Sequence, residues 1–149
     1  MFSNLAFYHF TSTWHIESSC DEVFSALYEV KNYPRWWPEI KEGIDIGDGE
    51  GMLRARSFLP YDLRFTLHRS SVDQAAGILE ASVSGDMEGT ICWKVTQEGG
   101  KTKVFYEQKV MLHKNLLNIL APIVRPLFIW NHTLMMRHGE RGLSEYLGG

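Results

Sequence analysis

Residues 116–147, Leu-Leu-Asn-Ile-Leu-Ala-Pro-Ile-Val-Arg-Pro-Leu-Phe-Ile-Trp-Asn-His-Thr-Leu-Met-Met-Arg-His-Gly-Glu-Arg-Gly-Leu-Ser-Glu-Tyr-Leu, constrain this chain more than any other stretch. They form the one segment long enough for a major helix. Leu120, Ile123, Leu127, Trp130, Leu134, Leu143 and Leu147 recur at helical spacing, which predicts a long amphipathic helix. Pro122 and Pro126 each remove a backbone donor and disfavour helix in the residue before. A short helical piece, a kink and a main helix from about Pro126 to Leu147 are therefore expected, the last roughly 30 Å long. Asn118, Arg125 and Asn131 interrupt the apolar run, so it is not a membrane span, which needs about 20 apolar residues. Such a helix needs a broad apolar surface to lie on.

The remaining residues offer that surface as strands. Tyr8, Phe10, Trp14 and Ile16 alternate with His9, Thr11, Thr13 and His15, the period of a strand with one buried face. Ser19 and Glu22 have capping-box spacing ahead of Val23, Phe24, Leu27 and Val30, so a helix of about three turns starts there. In Tyr33-Pro34-Arg35-Trp36-Trp37-Pro38 the prolines leave room for one helical turn. Adjacent residues on such a turn point apart, so one tryptophan is expected in the core and the other partly exposed.

Six further strands are expected at about Gly43–Gly47, Gly51–Phe58, Tyr61–Val72, Ile78–Ser84, Gly89–Thr96 and Lys103–Leu112, separated by Gly-, Pro- and Asp-rich turns. Alternation places Leu53, Ala55, Ser57, Leu63, Phe65, Leu67, Leu79, Ala81, Val83, Ile91, Trp93, Val95, Val104, Tyr106, Gln108 and Val110 on one face. Arg54, Arg56, Arg64, His68, Glu80, Lys94, Glu107 and Lys109 take the other, a solvated face of mixed charge. Strand, short helices, six strands and a long helix make an α+β chain, a curved antiparallel sheet of about seven strands gripping its C-terminal helix. With 149 residues and no repeat or linker, one domain over 1–149 is expected.

The net charge of −3 argues against a nucleic-acid partner. Cys20 and Cys92 form no CxxC and no Cys/His cluster, and read as free thiols of a reducing compartment. The N-terminal stretch has no basic region followed by a small-residue cleavage site, so a cytoplasmic location is expected.

Several words resemble those of the START/Bet v 1-like (SRPBCC) superfamily, and in particular bacterial polyketide cyclase/dehydrase-like proteins. They are Trp14-His15-Ile16, Tyr33-Pro34-Arg35-Trp36-Trp37-Pro38, Leu59-Pro60-Tyr61-Asp62-Leu63-Arg64-Phe65, Ser84-Gly85-Asp86-Met87-Glu88-Gly89 and residues 121–132, followed by Met136, Gly139-Glu140 and Gly142-Leu143. The resemblance implies the helix-grip fold, with two short helices after strand 1 and an apolar cavity under the long helix. Chemistry differs from branch to branch of that superfamily, so the fold does not set the reaction.

Catalytic constellations are sparse. Asp86 and Glu88 could act as paired carboxylates, but a strand-joining turn accounts for them. No Gly-x-Ser-x-Gly word and no phosphate-binding glycine loop occurs. His9, His15, His68, His113, His132 and His138 lack metal-ligand spacing, so neither metal nor cofactor is expected. His132 and His138, six apart on the long helix, do not share a face and read as surface or core-edge residues.

Polar residues on the buried face are more informative. Tyr61, Tyr106, Gln108 and Ser57, with Asn131 from the helix, either satisfy one another or meet a ligand, since each left unpaired costs on the order of 1–3 kcal/mol. Tyr61, Phe65, Trp93, Tyr106, Gln108, Leu127, Trp130, Asn131 and Leu134 are the expected ligand-contact residues. The expected function is binding of a small hydrophobic molecule, lipid-like, quinone-like or aromatic. A cyclase or dehydratase using the same cavity is the alternative, and a protein-interaction module built on Trp36 and Trp37 is a third reading. No catalytic residue is assigned, and the oligomeric state is not set by the sequence.

Overall fold

The computed structural model describes residues 7–56, 62–112 and 124–148. The chain opens with β1 (Phe7–Ile16), then α1 (Cys20–Tyr28) and a 3-10 helix at Val30–Arg35. Six strands follow: β2 (Ile40–Gly47), β3 (Glu50–Ala55), β4 (Leu63–Asp73), β5 (Ile78–Gly85), β6 (Met87–Glu98) and β7 (Lys101–Leu112). Helix α2 (Val124–Gly148) closes the chain. The seven strands form one antiparallel sheet in the order β1-β7-β6-β5-β4-β3-β2, with β1 returning from the start of the chain to pair with β7.

Local chemistry explains the element starts. The Ser19 hydroxyl accepts from the Glu22 amide at 3.1 Å, and the Glu22 carboxylate reaches back to the Ser19 amide, so the capping box forms. Alternation in β7 runs without a break, burying Thr102, Val104, Tyr106, Gln108, Val110 and Leu112 and leaving their neighbours outside. In β1, Tyr8, Phe10, Trp14 and Ile16 are buried by the same period. The strand ends extend one to three residues beyond several expected bounds, because ladder pairing continues into the turn-flanking residues.

Asp86 does structural work at the β5–β6 junction. Its amide donates to the Arg64 carbonyl at 2.9 Å, and its carboxylate accepts from the Arg64 amide at 2.8 Å. The helical piece and kink expected ahead of α2 lie outside the described residues. Of α2 itself, Val124–Gly148 is continuous helix.

Both Trp36 and Trp37 are buried, at 4% and 6% exposure, which corrects the expectation that one of them faces solvent. Their rings stack with centroids 5.3 Å apart, and both meet Trp14 edge-on. The cover comes from α2. A Cβ on Gly139 would lie 2.7 Å from the Trp37 ring and 3.0 Å from Trp14, and one on Gly142 would lie 1.7 Å from the Trp36 carbonyl oxygen. Two glycines three apart thus let the helix backbone sit directly on the tryptophans. The Trp37 indole donates to the Met135 carbonyl at 2.8 Å and ties the two elements together. An interaction surface built on Trp36 and Trp37 is therefore not present.

Candidate functional site

Between the inner face of the sheet and α2 lies a cavity of about 90 Å³. The sheet contributes Leu53, Ala55, Leu63, Phe65, Leu67, Met87, Ile91, Trp93, Tyr106 and Gln108; α2 contributes Phe128, Asn131, His132, Met135 and Met136. Tyr33, Trp37 and Ile40 close one side, and Arg56 stands at the rim. Among the described lining residues Arg56 is the one with a permanent charge, and its side chain is about half exposed.

Two polar groups of the cavity wall, Tyr106 and His132, converge on Gln108, while the Asn131 amide reaches the Met135 sulfur at 3.6 Å. Its carbonyl oxygen accepts from the Tyr106 hydroxyl at 2.5 Å and from His132 Nε2 at 3.1 Å. Its amide nitrogen meets the Met87 sulfur at 3.9 Å, a weak partner. Adjacent strands set this arrangement: Tyr106 and Gln108 are two apart on β7 and share its inner face, opposite Trp93 and Ile91 of β6. The His132 ring stacks on Phe10 with centroids 3.8 Å apart.

Burial governs the electrostatics. Removing water from His132 disfavours its imidazolium and lowers its pKa to about 4, so the ring is neutral near pH 7. Burial likewise pushes the Tyr106 and Tyr33 phenols far above their ordinary value. Tyr33 is satisfied by donating to the Leu27 carbonyl at 2.5 Å.

The neutral state of His132 has a consequence for stability. The unfolded chain takes up a proton near pH 6.5 and the folded chain only near pH 4, so this contribution is complete above pH 6.5 and is lost as pH falls towards 4. The loss amounts to roughly 3 kcal/mol across that window. Urea unfolding of the wild type and of His132→Phe between pH 4 and 7 is expected to show a shallower pH dependence in the variant; equal slopes would contradict the assignment.

The structure brings together Phe65, Trp93, Tyr106, Gln108 and Asn131 of the residues expected at a ligand. Tyr61 and Ser57 lie outside the described residues. Leu127, Trp130 and Leu134 do not line the cavity: Leu127 and Leu134 are half-buried on its flanks, and Trp130 is 55% exposed. The inward stripe of α2 is offset by one position, through Phe128, Asn131 and His132, Met135 and Met136, Gly139 and Leu143. It contains polar and small residues, so hydrophobicity favoured the flanking leucines and Trp130.

His132 was the main residue missed. Its spacing of four from both Phe128 and Met136 was the available signal. His138 lies half-buried at the edge of the helix, where Nδ1 pairs with the Glu39 carboxylate. Among the described residues no group of three or more His, Cys, Asp or Glu could hold a metal ion. No described helix is long and apolar enough to cross a membrane.

No family model and no curated protein matches the sequence. Solved structures do resemble it. A START superfamily protein from Mycobacterium smegmatis superposes with a TM-score of 0.75 at 12% identity, covering 94% of this chain and 97% of that one. A conserved protein from Geobacillus kaustophilus gives 0.77 at 10% identity, with 95% of each chain covered. The Zhui aromatase/cyclase from a Streptomyces species gives 0.74 at 13% identity, covering 95% of this chain and 94% of that one. With a seven-stranded antiparallel sheet wrapped on a C-terminal helix, the chain has the START/Bet v 1-like helix-grip fold.

Proposed function

We propose that this protein binds a compact, uncharged, ring-bearing hydrophobic molecule between the sheet and α2. The observation that carries this reading is a mostly apolar cavity whose wall carries few polar groups, chief among them the Tyr106–Gln108–His132 cluster. The volume of about 90 Å³ favours one aromatic or quinone-like ring over an extended lipid chain. An engineered void of ~150 Å³ holds a single benzene, so a space of this size takes no more than one ring. An ionised headgroup would find no cation inside, because His132 is held neutral and Arg56 stands at the rim.

Trp37 and Trp93 line the cavity, so their fluorescence reports its occupation. Titration with p-cresol is expected to give saturable quenching at one equivalent, and decanoate none. Ala55→Phe, which fills the cavity from β3, is expected to weaken p-cresol binding at least tenfold. Tighter binding of decanoate, or equal binding by the filled variant, would contradict the reading.

An enzyme acting on such a ligand in the same cavity is the second reading. It is supported by the neutral His132 imidazole beside the Tyr106 phenol, a proton acceptor and donor both joined to Gln108. The likeness to a structure described as an aromatase/cyclase fits the same reading. The free thiols of Cys20 and Cys92 support a reducing, cytoplasmic location.

A further inference from the structure

The outer face of the sheet carries a side-chain relay that the cavity does not involve. On β4, His68 Nδ1 lies 2.5 Å from the Glu50 carboxylate of β3, and His68 Nε2 lies 3.1 Å from the Ser84 hydroxyl of β5. Glu50 and His68 are directly opposite in the β3–β4 register, and Ser84 is diagonal to His68 across β4–β5. With the Nδ1 proton directed at the carboxylate, the Nε2 lone pair is free to accept from Ser84. Nucleophile, base and orienting carboxylate thus stand in the order and at the distances of an activated serine.

The relay is open to solvent, with the His68 and Glu50 side chains 39% and 40% exposed. Thr66, opposite Ser84 in the register, brings a hydroxyl donor to the same face. Met52, opposite Thr66 on β3 and 37% exposed, offers an apolar contact beside it. We propose that Ser84, His68 and Glu50 form a second site on the outer sheet face that accepts acyl groups from short-chain esters.

The step balances without a co-reactant other than water. Ser84 Oγ adds to the ester carbonyl carbon while its proton passes to His68 Nε2, and the Thr66 hydroxyl donates to the oxyanion. The bond to the alcohol oxygen then breaks, and the alcohol departs with the proton from His68. Water repeats the exchange on the Ser84 ester, releasing the carboxylic acid and restoring the hydroxyl.

The test is reaction of the full chain with a fluorophosphonate probe, mapped by peptide mass spectrometry, alongside hydrolysis of p-nitrophenyl acetate. Expected is an adduct on Ser84 that is absent from Ser84→Ala, formed ~100-fold more slowly in His68→Ala, with acetate hydrolysis falling in parallel. Glu50→Gln should lower both rates less, and Ser82→Ala should leave them unchanged. These residues lie on the outer face, and thermal melts of each variant verify that the fold is kept. An adduct on Ser84 no faster than on Ser82, or a rate indifferent to His68→Ala, would overturn the proposal.

Discussion

Gly142→Ala is expected to lower stability by about 3 kcal/mol, the upper range for forcing atoms into a packed core. The melting temperature should drop by roughly 6–12 °C for a chain of this size. The new Cβ would lie 1.7 Å from the Trp36 carbonyl oxygen, a backbone atom that no rotamer change can move aside. Alanine is otherwise the better helix former by about 1 kcal/mol, so helix propensity alone forecasts the opposite sign. Gly148→Ala is the internal control, since nothing stands within 4 Å of its added methyl. Thermal melts of both variants decide the matter. A Gly142→Ala protein as stable as wild type would mean that α2 does not rest on the Trp36 backbone.

The second large effect concerns the polar cluster in the cavity. Gln108→Leu makes the interior more apolar, yet it is expected to destabilise by about 2–6 kcal/mol. It removes the acceptor shared by the Tyr106 hydroxyl and His132 Nε2, and each donor left without one costs on the order of 1–3 kcal/mol. The triple replacement Tyr106→Phe, Gln108→Leu and His132→Phe removes donors and acceptor together. It should recover most of the loss, because deleting all partners of a buried network is far less costly than deleting one. Denaturant unfolding of the single and triple variants measures this coupling. Additive losses would show that the three groups do not act as a unit.

How much of this was legible in the residues depends on the kind of interaction. Strand faces were read directly, because a period of two leaves no ambiguity about which of Tyr106 and Phe105, or Trp93 and Lys94, turns inward. The capping box at Ser19 and Glu22 was equally local. The face of α2 was harder, since the stripe that turns inward carries Asn131, His132 and Gly139 while the one beside it carries Leu127, Trp130 and Leu134. Hydrophobicity chose Leu127, Trp130 and Leu134, whereas packing chose Phe128, His132 and Met136.

The glycines explain that outcome. Close approach of α2 at Gly139 and Gly142 fixes the helix rotation for its whole length, and that contact is with Trp14, Trp36 and Trp37, which are remote in sequence. The same contact buries both tryptophans, where local geometry allowed for only one. His132 was passed over because an imidazole on a helix more often faces solvent. Its role became visible once Gln108 and Phe10 were placed beside it. The Ser84–His68–Glu50 relay has no sequence word at all, since its members come from three strands joined by register.

The central claim, that the space between sheet and α2 is a ligand site, is tested most directly by native mass spectrometry of the purified protein. Bound material would then be extracted and identified under denaturing conditions. A stoichiometric, uncharged, ring-bearing molecule that is lost from the Ala55→Phe variant is the expected result. A protein that is empty as purified and takes up no phenol, quinone or small arene when these are added would contradict it.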